Sequence, residues 1–444
     1  MTKGFSRRDF LKTTAAAATV AGMASGVGRV HAGQDSTIRY GLIGCGGRGR
    51  GAAGDALNAA ENLGVPVKLV AMGDAFRPNA LAAREGLMAA FEDRVDVPDD
   101  RVFDGLECYK QVIPECDVVL LAEAPRFRRH SLRAAVEAGK HVFCEKPVAV
   151  DGEGIKCVLE SAKIAQEKKL NLVSGLCWRY DLNVKDIMQR LADGVIGEIT
   201  AVQMNYLTGK LWTRPKLEND TEMMYQVRNW YNFAWLSGDF NVEQHVHSLD
   251  KGLWAMGDTT PIAAYGMGGR MARTEQPDYG DIYDEMSVVF EYPNGRRLYS
   301  LCRQQNACWS EVDDYFMGTK GYANVIGPNP CIWDLDGKVI YEQKKVPSNM
   351  YVLEHEALLG AITSGGSTYI NNGEYMANST MLGILGREVC YTGARMTWEE
   401  GLAIGGYSPD GFGWDNNPPT LPDENGRYKV AVPGLGKVYH SIAR

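Results

Sequence analysis

The chain lacks a basic excess, a paired-cysteine framework and a long apolar run. Its 55 aspartates and glutamates outnumber its 47 lysines and arginines, giving a formal charge of −8, and no basic block stands in the body of the chain. A nucleic-acid partner therefore finds no electrostatic footprint. The ten cysteines are scattered, with no C-x-x-C among them. Several fall in strand-like apolar runs, so they read as buried thiols, not as disulfide partners. What is present is a 45% hydrophobic composition over 444 residues, enough for two or three domains with real cores.

Residues 1–32, ending at Val30-His31-Ala32, combine a basic start, a soft Ala/Gly/Val-rich run and a small-residue end. That pattern predicts an export signal. It is too short and too weakly apolar for a stable membrane span, and none is expected in the mature protein. Arg7-Arg8, in SRRDFLK, resembles the twin-arginine motif read by the Tat translocase. An ordinary secretion signal is the alternative. The resemblance implies a passenger exported folded to the periplasm. A dissociable nicotinamide would be lost there, so any such cofactor is expected to be held tightly and recycled in place.

The stretch TIRYGLIGCGGRGRG begins as an apolar strand and turns glycine-rich, with Gly44, Gly46 and Gly49 in G-x-G-x-x-G spacing. Such a turn lets the backbone approach a pyrophosphate at a helix N-terminus. A second apolar strand, in VKLVAMGDAF, ends at Asp74. A carboxylate there accepts from ribose hydroxyls and repels a 2'-phosphate, which favours NAD over NADP. Arg77 stands close enough to soften that preference, and Asp74 as a plain helix cap is the alternative. CDVVLLAEAP reads as a further buried strand ending at Pro125, RFRRHSLRAAVEAGK as a helix, and HVFCEKPVAV as a strand and turn. The alternation predicts a parallel α/β Rossmann domain over 33–165. Gly44, Gly46, Gly47, Arg48, Gly49, Asp74, Pro125, Glu145 and Lys146 are its expected cofactor contacts.

From 166 to 404 the texture changes. GEITAVQMNYLTG is strand-like, and Pro293-Asn294-Gly295 separates two strand-prone runs as a hairpin turn would. An α/β domain with an open, mainly antiparallel sheet is expected, followed by a Pro/Gly-rich extended tail over 405–444 that can wrap a neighbouring surface. An exposed sheet plus such a tail predicts a homo-oligomer.

GLIGCGGRG, the CEKPV turn, GLCWRY, GDFNVEQHVHSLD and NSTMLGILGREVCYTG resemble, in order, the motifs of the Gfo/Idh/MocA oxidoreductases. The resemblance implies hydride exchange between NAD(P) and a secondary hydroxyl of a sugar, polyol or glycoside. Lys146 would be the EKP lysine, and Glu243, His247 and Asp250 would match the family's acid, histidine and aspartate. It also admits a redox-neutral NAD-dependent glycosidase, working by oxidation, elimination, water addition and re-reduction. A non-catalytic sugar-binding protein is the third reading.

Lys146, His247 and Glu243 are the expected catalytic set, with His247 taking or returning the hydroxyl proton. Arg179, Tyr180, His245 and Asp250 are expected around the substrate. Glu243, His245 and His247 would suit a metal only if the segment were extended, since residues two apart on a helix diverge; no metal is expected. The aromatic run Trp230, Tyr231, Phe233, Trp235 reads either as a platform for a sugar ring or as packing.

Overall fold

Val118–Leu121 reads VVLL and is buried at every position, the signature of a strand covered on both faces of a parallel sheet. The computed structural model describes residues 37–273, 277–327, 329–407 and 411–434. In it that strand, β4, lies in a six-stranded parallel sheet with β1 (Ile38–Ile43), β2 (Val67–Asp74), β3 (Val102–Asp104), β5 (His141–Cys144) and β6 (Leu172–Ser174), in the order β3-β2-β1-β4-β5-β6. Strand β6 lies beyond residue 165, so the sheet runs past the boundary drawn from sequence. The crossovers are α1 (Gly47–Leu63), α2 (Arg77–Phe91), α3 (Tyr109–Glu115), α4 (Pro125–Glu137) and α5 (Gly152–Glu167). Helix α4 starts with proline at its first position, where the missing N–H costs nothing. Helix α5 is capped by the Asp151 carboxylate accepting from Gly154 N at 2.6 Å. The strand order reverses between β1 and β4, which opens a crevice at their C-terminal ends.

After α6 (Leu182–Ala192), strand β7 (Ile199–Thr208) starts the second sheet. Four short helices follow: α7 (Glu222–Arg228), α8 (Ala234–Ser237), α9 (Phe240–Glu243) and α10 (Val246–Ala255). The remaining strands are β8 (Ala263–Gly269), β9 (Glu285–Glu291), β10 (Arg297–Gln304), β11 (Glu311–Gly318), β12 (Gly321–Asn324), β13 (Cys331–Asp334), β14 (Val339–Glu342) and β15 (Met396–Thr397). The nine strands run β14-β13-β12-β11-β7-β10-β9-β8-β15, antiparallel except for the β7/β10 pair. The hairpin expected at Pro293-Asn294-Gly295 joins β9 to β10, with Asn294 and Gly295 at φ +61° and +74°. One sheet face buries Met286, Val288, Phe290, Leu298 and Cys302, while Tyr265, Met267 and Tyr299 on the other are exposed.

Helix α11 (Met350–Thr363) returns to the first domain and packs on α1; α12 (Gly373–Thr392), almost wholly buried, lies against β8, β9, α5 and α10. Between them Leu172 N donates to Ile370 O (2.9 Å) and Asn372 N to Leu172 O (2.8 Å), stitching the returning chain to β6. A buried ion pair, Lys251 to Asp314 at 3.0 Å, ties α10 to β11. Helix α13 (Trp398–Leu402) has a full capping box on Thr397 and Glu400. Among the described residues no helix is long and apolar enough to cross a membrane. The segment expected to be an export signal lies outside the described residues. All ten cysteines are free, and eight of them are buried.

His355 on α11 is fully buried against the Phe143 ring, 4.2 Å between centroids, and neither ring nitrogen has a hydrogen-bond partner. Burial, with Arg48 nearby, pushes its pKa down to about 3. The folded state thus holds the neutral imidazole, while the unfolded chain takes up a proton below pH 6.5. Stability from this group is complete above pH 6.5 and falls as the pH drops towards 3, by about 1.4 kcal/mol per unit. Chemical denaturation of the His355→Phe variant should therefore show a shallower loss than the unmodified chain between pH 6.5 and 4. Parallel curves would refute the buried neutral state.

Candidate functional site

Gly44 has φ +87°, and a side chain there would meet the Glu123 backbone at 2.3 Å; one at Gly49 would meet the Gly44 carbonyl at 1.8 Å. These two glycines close the turn. At Gly46 and Gly47 a side chain would meet nothing within 4 Å, so there bare backbone faces open space. Helix α1, which starts here, has no side-chain cap and no acidic residue in its first turn. Its free N–H groups and dipole are left to an outside anion. They line a cleft of about 790 Å³ with Asp74, Phe76, Asn79, Ala122–Ala124 and Phe127 from the first domain, and with Trp212, Arg214, Arg228, Trp230, Tyr231, Glu243 and Gln244 from the second.

The Asp74 carboxylate accepts from Cys45 N (2.7 Å), Phe76 N (2.9 Å) and the Asn79 side chain (3.0 Å). Of about four acceptor directions on a carboxylate, three are thus used and one is left for a hydroxyl donor. Arg77 is turned away, donating to the Val102 and Asp99 carbonyls at 2.5 and 3.2 Å. It is not poised beside Asp74 to hold a phosphate. Bare glycine backbone, an uncapped helix and a partly free carboxylate at the end of β2 fit a dinucleotide whose ribose carries free hydroxyls.

Where the two domains meet, Lys146 Nζ donates to the Glu243 carboxylate at 2.9 Å and to the Glu243 backbone carbonyl at 2.5 Å. Arg128 steadies the turn by donating to the Lys146 and Pro147 carbonyls at 2.7 and 2.6 Å. Gln244 donates to the other Glu243 oxygen at 2.8 Å and accepts from Tyr206 OH at 2.8 Å. His247 stands in the first turn of α10, half-buried, its Nδ1 without a partner. Burial first, then the charges of Lys146, Lys251 and Arg48, hold its pKa well below the ordinary histidine range. The imidazole is therefore neutral and has a lone pair to offer.

The segment is helical, and the three groups suspected of metal binding diverge. Glu243 meets Lys146, while His245 is fully buried with Nε2 2.8 Å from Ser300 Oγ on β10. Burial pushes His245 down to about 3, with Lys251 adding to the shift. It supports the sheet and does not border the cleft. Among the described residues no three His, Cys, Asp or Glu side chains converge as metal ligands.

The other expected substrate contacts are engaged elsewhere. Arg179 Nε donates to both Asp250 oxygens (2.9 and 3.1 Å) and Nη2 to Asp258 (2.6 Å), with the Tyr375 ring 3.9 Å away. Tyr180 OH donates to Asn372 at 2.7 Å. Neither Arg179, Tyr180 nor Asp250 lines the cleft. On the cofactor side, Pro125, Glu145 and Lys146 also stand behind its lining. Arg48 lines the cleft, yet its guanidinium is committed to Glu145, to Asp55 (3.0 Å) and to the buried Glu354 (3.0 Å). Phe76, Trp212, Arg214, Arg228 and Gln244 line the cleft without having been singled out in the sequence. Only the aromatic richness around Trp230 hinted at them.

Residues 38–172 match the family model described as oxidoreductase family, NAD-binding Rossmann fold, Gfo/Idh/MocA. An inositol 2-dehydrogenase of Rhizobium meliloti is 26% identical over 261 residues, 59% of this chain and 67% of that enzyme. A 2,7-anhydro-N-acetylneuraminate hydratase of Escherichia coli is 27% identical over 205 residues, 46% of this chain and 50% of that protein. The chain spans about half the length of most of the curated relatives it matches. Scyllo-inositol dehydrogenase of Lactobacillus casei, solved with NAD(H) and scyllo-inositol, superposes with a TM-score of 0.60 at 17% identity, over 82% of this chain and 100% of that one. That likeness is one of fold.

The surroundings of Asp74 predict a preference for NAD. Asp74→Ser should weaken NADH binding at least about tenfold, the loss of one charge-assisted hydrogen bond, and narrow the gap to NADPH. Fluorescence titration with both nucleotides measures this. Tighter binding of NADPH than NADH by the unmodified chain would refute the role given to Asp74.

Proposed function

We propose, from an NAD-binding domain of the Gfo/Idh/MocA oxidoreductase family at residues 38–172, that the whole chain moves hydride between a tightly held NAD and a secondary hydroxyl of a sugar, polyol or glycoside. The observation that carries this reading is the Lys146–Glu243 pair, which joins the two domains where Glu243 and Gln244 line the cleft. NAD, when bound, supplies the hydride acceptor. The protein's part is to place the carbinol and handle its proton.

In this reading the Lys146 ammonium approaches the substrate oxygen and stabilises the charge that develops on it as the proton leaves. Glu243 accepts from Lys146 and fixes where the ammonium points. His247, kept neutral first by its own burial and then by the nearby cations, takes the proton and returns it in the reverse direction. Trp212, Trp230 and Tyr231 present aromatic faces to the same cleft and suit the C–H faces of a sugar ring.

A redox-neutral cycle is the second reading. It is favoured by the similarity to a protein named as a hydratase, whose name describes water addition and not net oxidation. The same Lys146 and His247 would serve the transient oxidation and the return of hydride in a glycosidase of that kind. We further propose export of the folded chain to the periplasm through Arg7-Arg8, and self-association through the open sheet face carrying Tyr265, Met267 and Tyr299. Cell fractionation of an Arg7→Lys/Arg8→Lys variant tests the first, and a monomeric mass by light scattering would overturn the second.

The protein isolated after export, with no cofactor added, should show a rise at 340 nm with inositols or aldoses that stops near one equivalent per retained nicotinamide. Lys146→Met should keep the nucleotide and slow that rise by about 10²–10⁴-fold. An unchanged rate in the variant, or no nicotinamide in the unmodified protein, would sink the dehydrogenase reading. Product release with no change at 340 nm would favour the redox-neutral cycle.

A further inference from the structure

Residues 411–434 form no helix or strand, and their aromatic side chains pack on their own chain. Phe76 lines the dinucleotide cleft two residues after Asp74. The Trp414 ring stacks on it at 5.1 Å and 28°, and the Arg228 guanidinium lies 4.6 Å from its centre. Phe127, on the opposite flank of the same crevice, receives the Phe412 ring edge-on at 5.0 Å. Two of the three aromatic side chains of the first-domain wall, Phe76 and Phe127 but not Tyr109, are thus backed by the tail.

The same tail is anchored to the roof that the second domain sets over the cleft. Thr221 Oγ1 donates to the Trp414 carbonyl at 2.9 Å, and Gln226 Nε2 to the Thr420 carbonyl at 2.8 Å. Tyr428 OH donates to the Glu222 carboxylate, and its ring meets Phe233 at 4.8 Å. Thr221, Glu222 and Gln226 belong to α7 and its cap, and that helix ends in Val227 and Arg228 and leads on to Trp230 and Tyr231, all four of which line the cleft. One run of chain therefore grips the floor through one stacked and one edge-on aromatic contact and the roof through three side-chain hydrogen bonds.

We propose that Phe412 and Trp414 are retention residues for the dinucleotide: the tail straps roof to floor, and a bound nucleotide escapes only after these stacks open. The proposal rests on the NAD reading above and explains how a dehydrogenase of this architecture would keep its cofactor outside the cytoplasm. Both residues act through the walls, so they are positioning and not catalytic residues.

The test uses the full chain loaded with NADH. Excess NAD+ is added and the loss of bound-NADH fluorescence gives the release rate. Trp414→Ala with Phe412→Ala should release at least about tenfold faster, while Trp414→Phe, which keeps a stacking ring, should stay close to the unmodified rate. Thermal melting without nucleotide should change little, separating retention from general stability. If the double variant fails to fold, Trp414→Leu reads the same rate. Release by a folded variant within twofold of the unmodified chain would overturn the strap. Failure of the unmodified chain to bind NADH would instead overturn the NAD reading, and the strap with it.

Discussion

The Lys146–Glu243 contact is the constraint around which the two domains are arranged. An ammonium held by a carboxylate and a backbone carbonyl, both from the other domain, exists only when β5 of the first sheet and α9 of the second unit are in register. Such a largely buried pair adds modestly to stability, because desolvation offsets much of the attraction. Its worth lies in placement. The surrounding structure is built to hold both ends: Arg128 clamps the turn that carries Lys146, Gln244 and Tyr206 brace Glu243, and the buried Arg387 donates to the carbonyls of Val150 and Gly238 on either side of the domain junction.

Charge in this region is sorted by a simple rule. Cations that must be buried for packing reasons are given carboxylates: Arg48 has Glu145, Asp55 and Glu354, Arg179 has Asp250 and Asp258, and Lys251 has Asp314. The histidines among them receive none and stay neutral. A neighbouring carboxylate would raise their pKa values and favour the imidazolium. The cost is that Glu354, crowded by burial and Glu145, is pushed well above the ordinary carboxylate range. Arg48 opposes that shift and links the glycine loop both to Glu354 and, through Glu145, to the Lys146 turn.

This sorting explains which parts of the site were legible in the sequence. The glycine loop was, because Gly44 and Gly49 answer to backbone geometry that local sequence alone imposes. Asp74 was, because strand ends in a parallel sheet point to the crevice whatever surrounds them. The hairpin at Asn294-Gly295 and the helical divergence of Glu243, His245 and His247 also follow from local rules. Arg179 and Asp250 were not: a charged side chain that lines a cleft and one that is locked in a buried pair look alike until the partner, far along the chain, is in view. That the sheet runs past residue 165 was hidden for a related reason, since β6 is three residues long and is completed by Ile370–Asn372, which follow β14 in the chain.

The roof over the cleft was the least legible part, and the reason is physical. Trp212 and Trp414 come from irregular segments and Arg228 from the end of a seven-residue helix, and a Pro/Gly-rich composition predicts loop without saying what the loop covers. Stacks between distant aromatics are fixed by neither propensity nor pattern. Under the export proposed above, a dinucleotide held in the Rossmann crevice would have to be kept from diffusing away. Closing it takes surface from elsewhere, and an exposed tail free of regular hydrogen-bonding demands is the segment best able to lie across two domains at once. In that proposal the aromatic residues of the tail are where retention meets the fold, although nothing in their immediate sequence marks them.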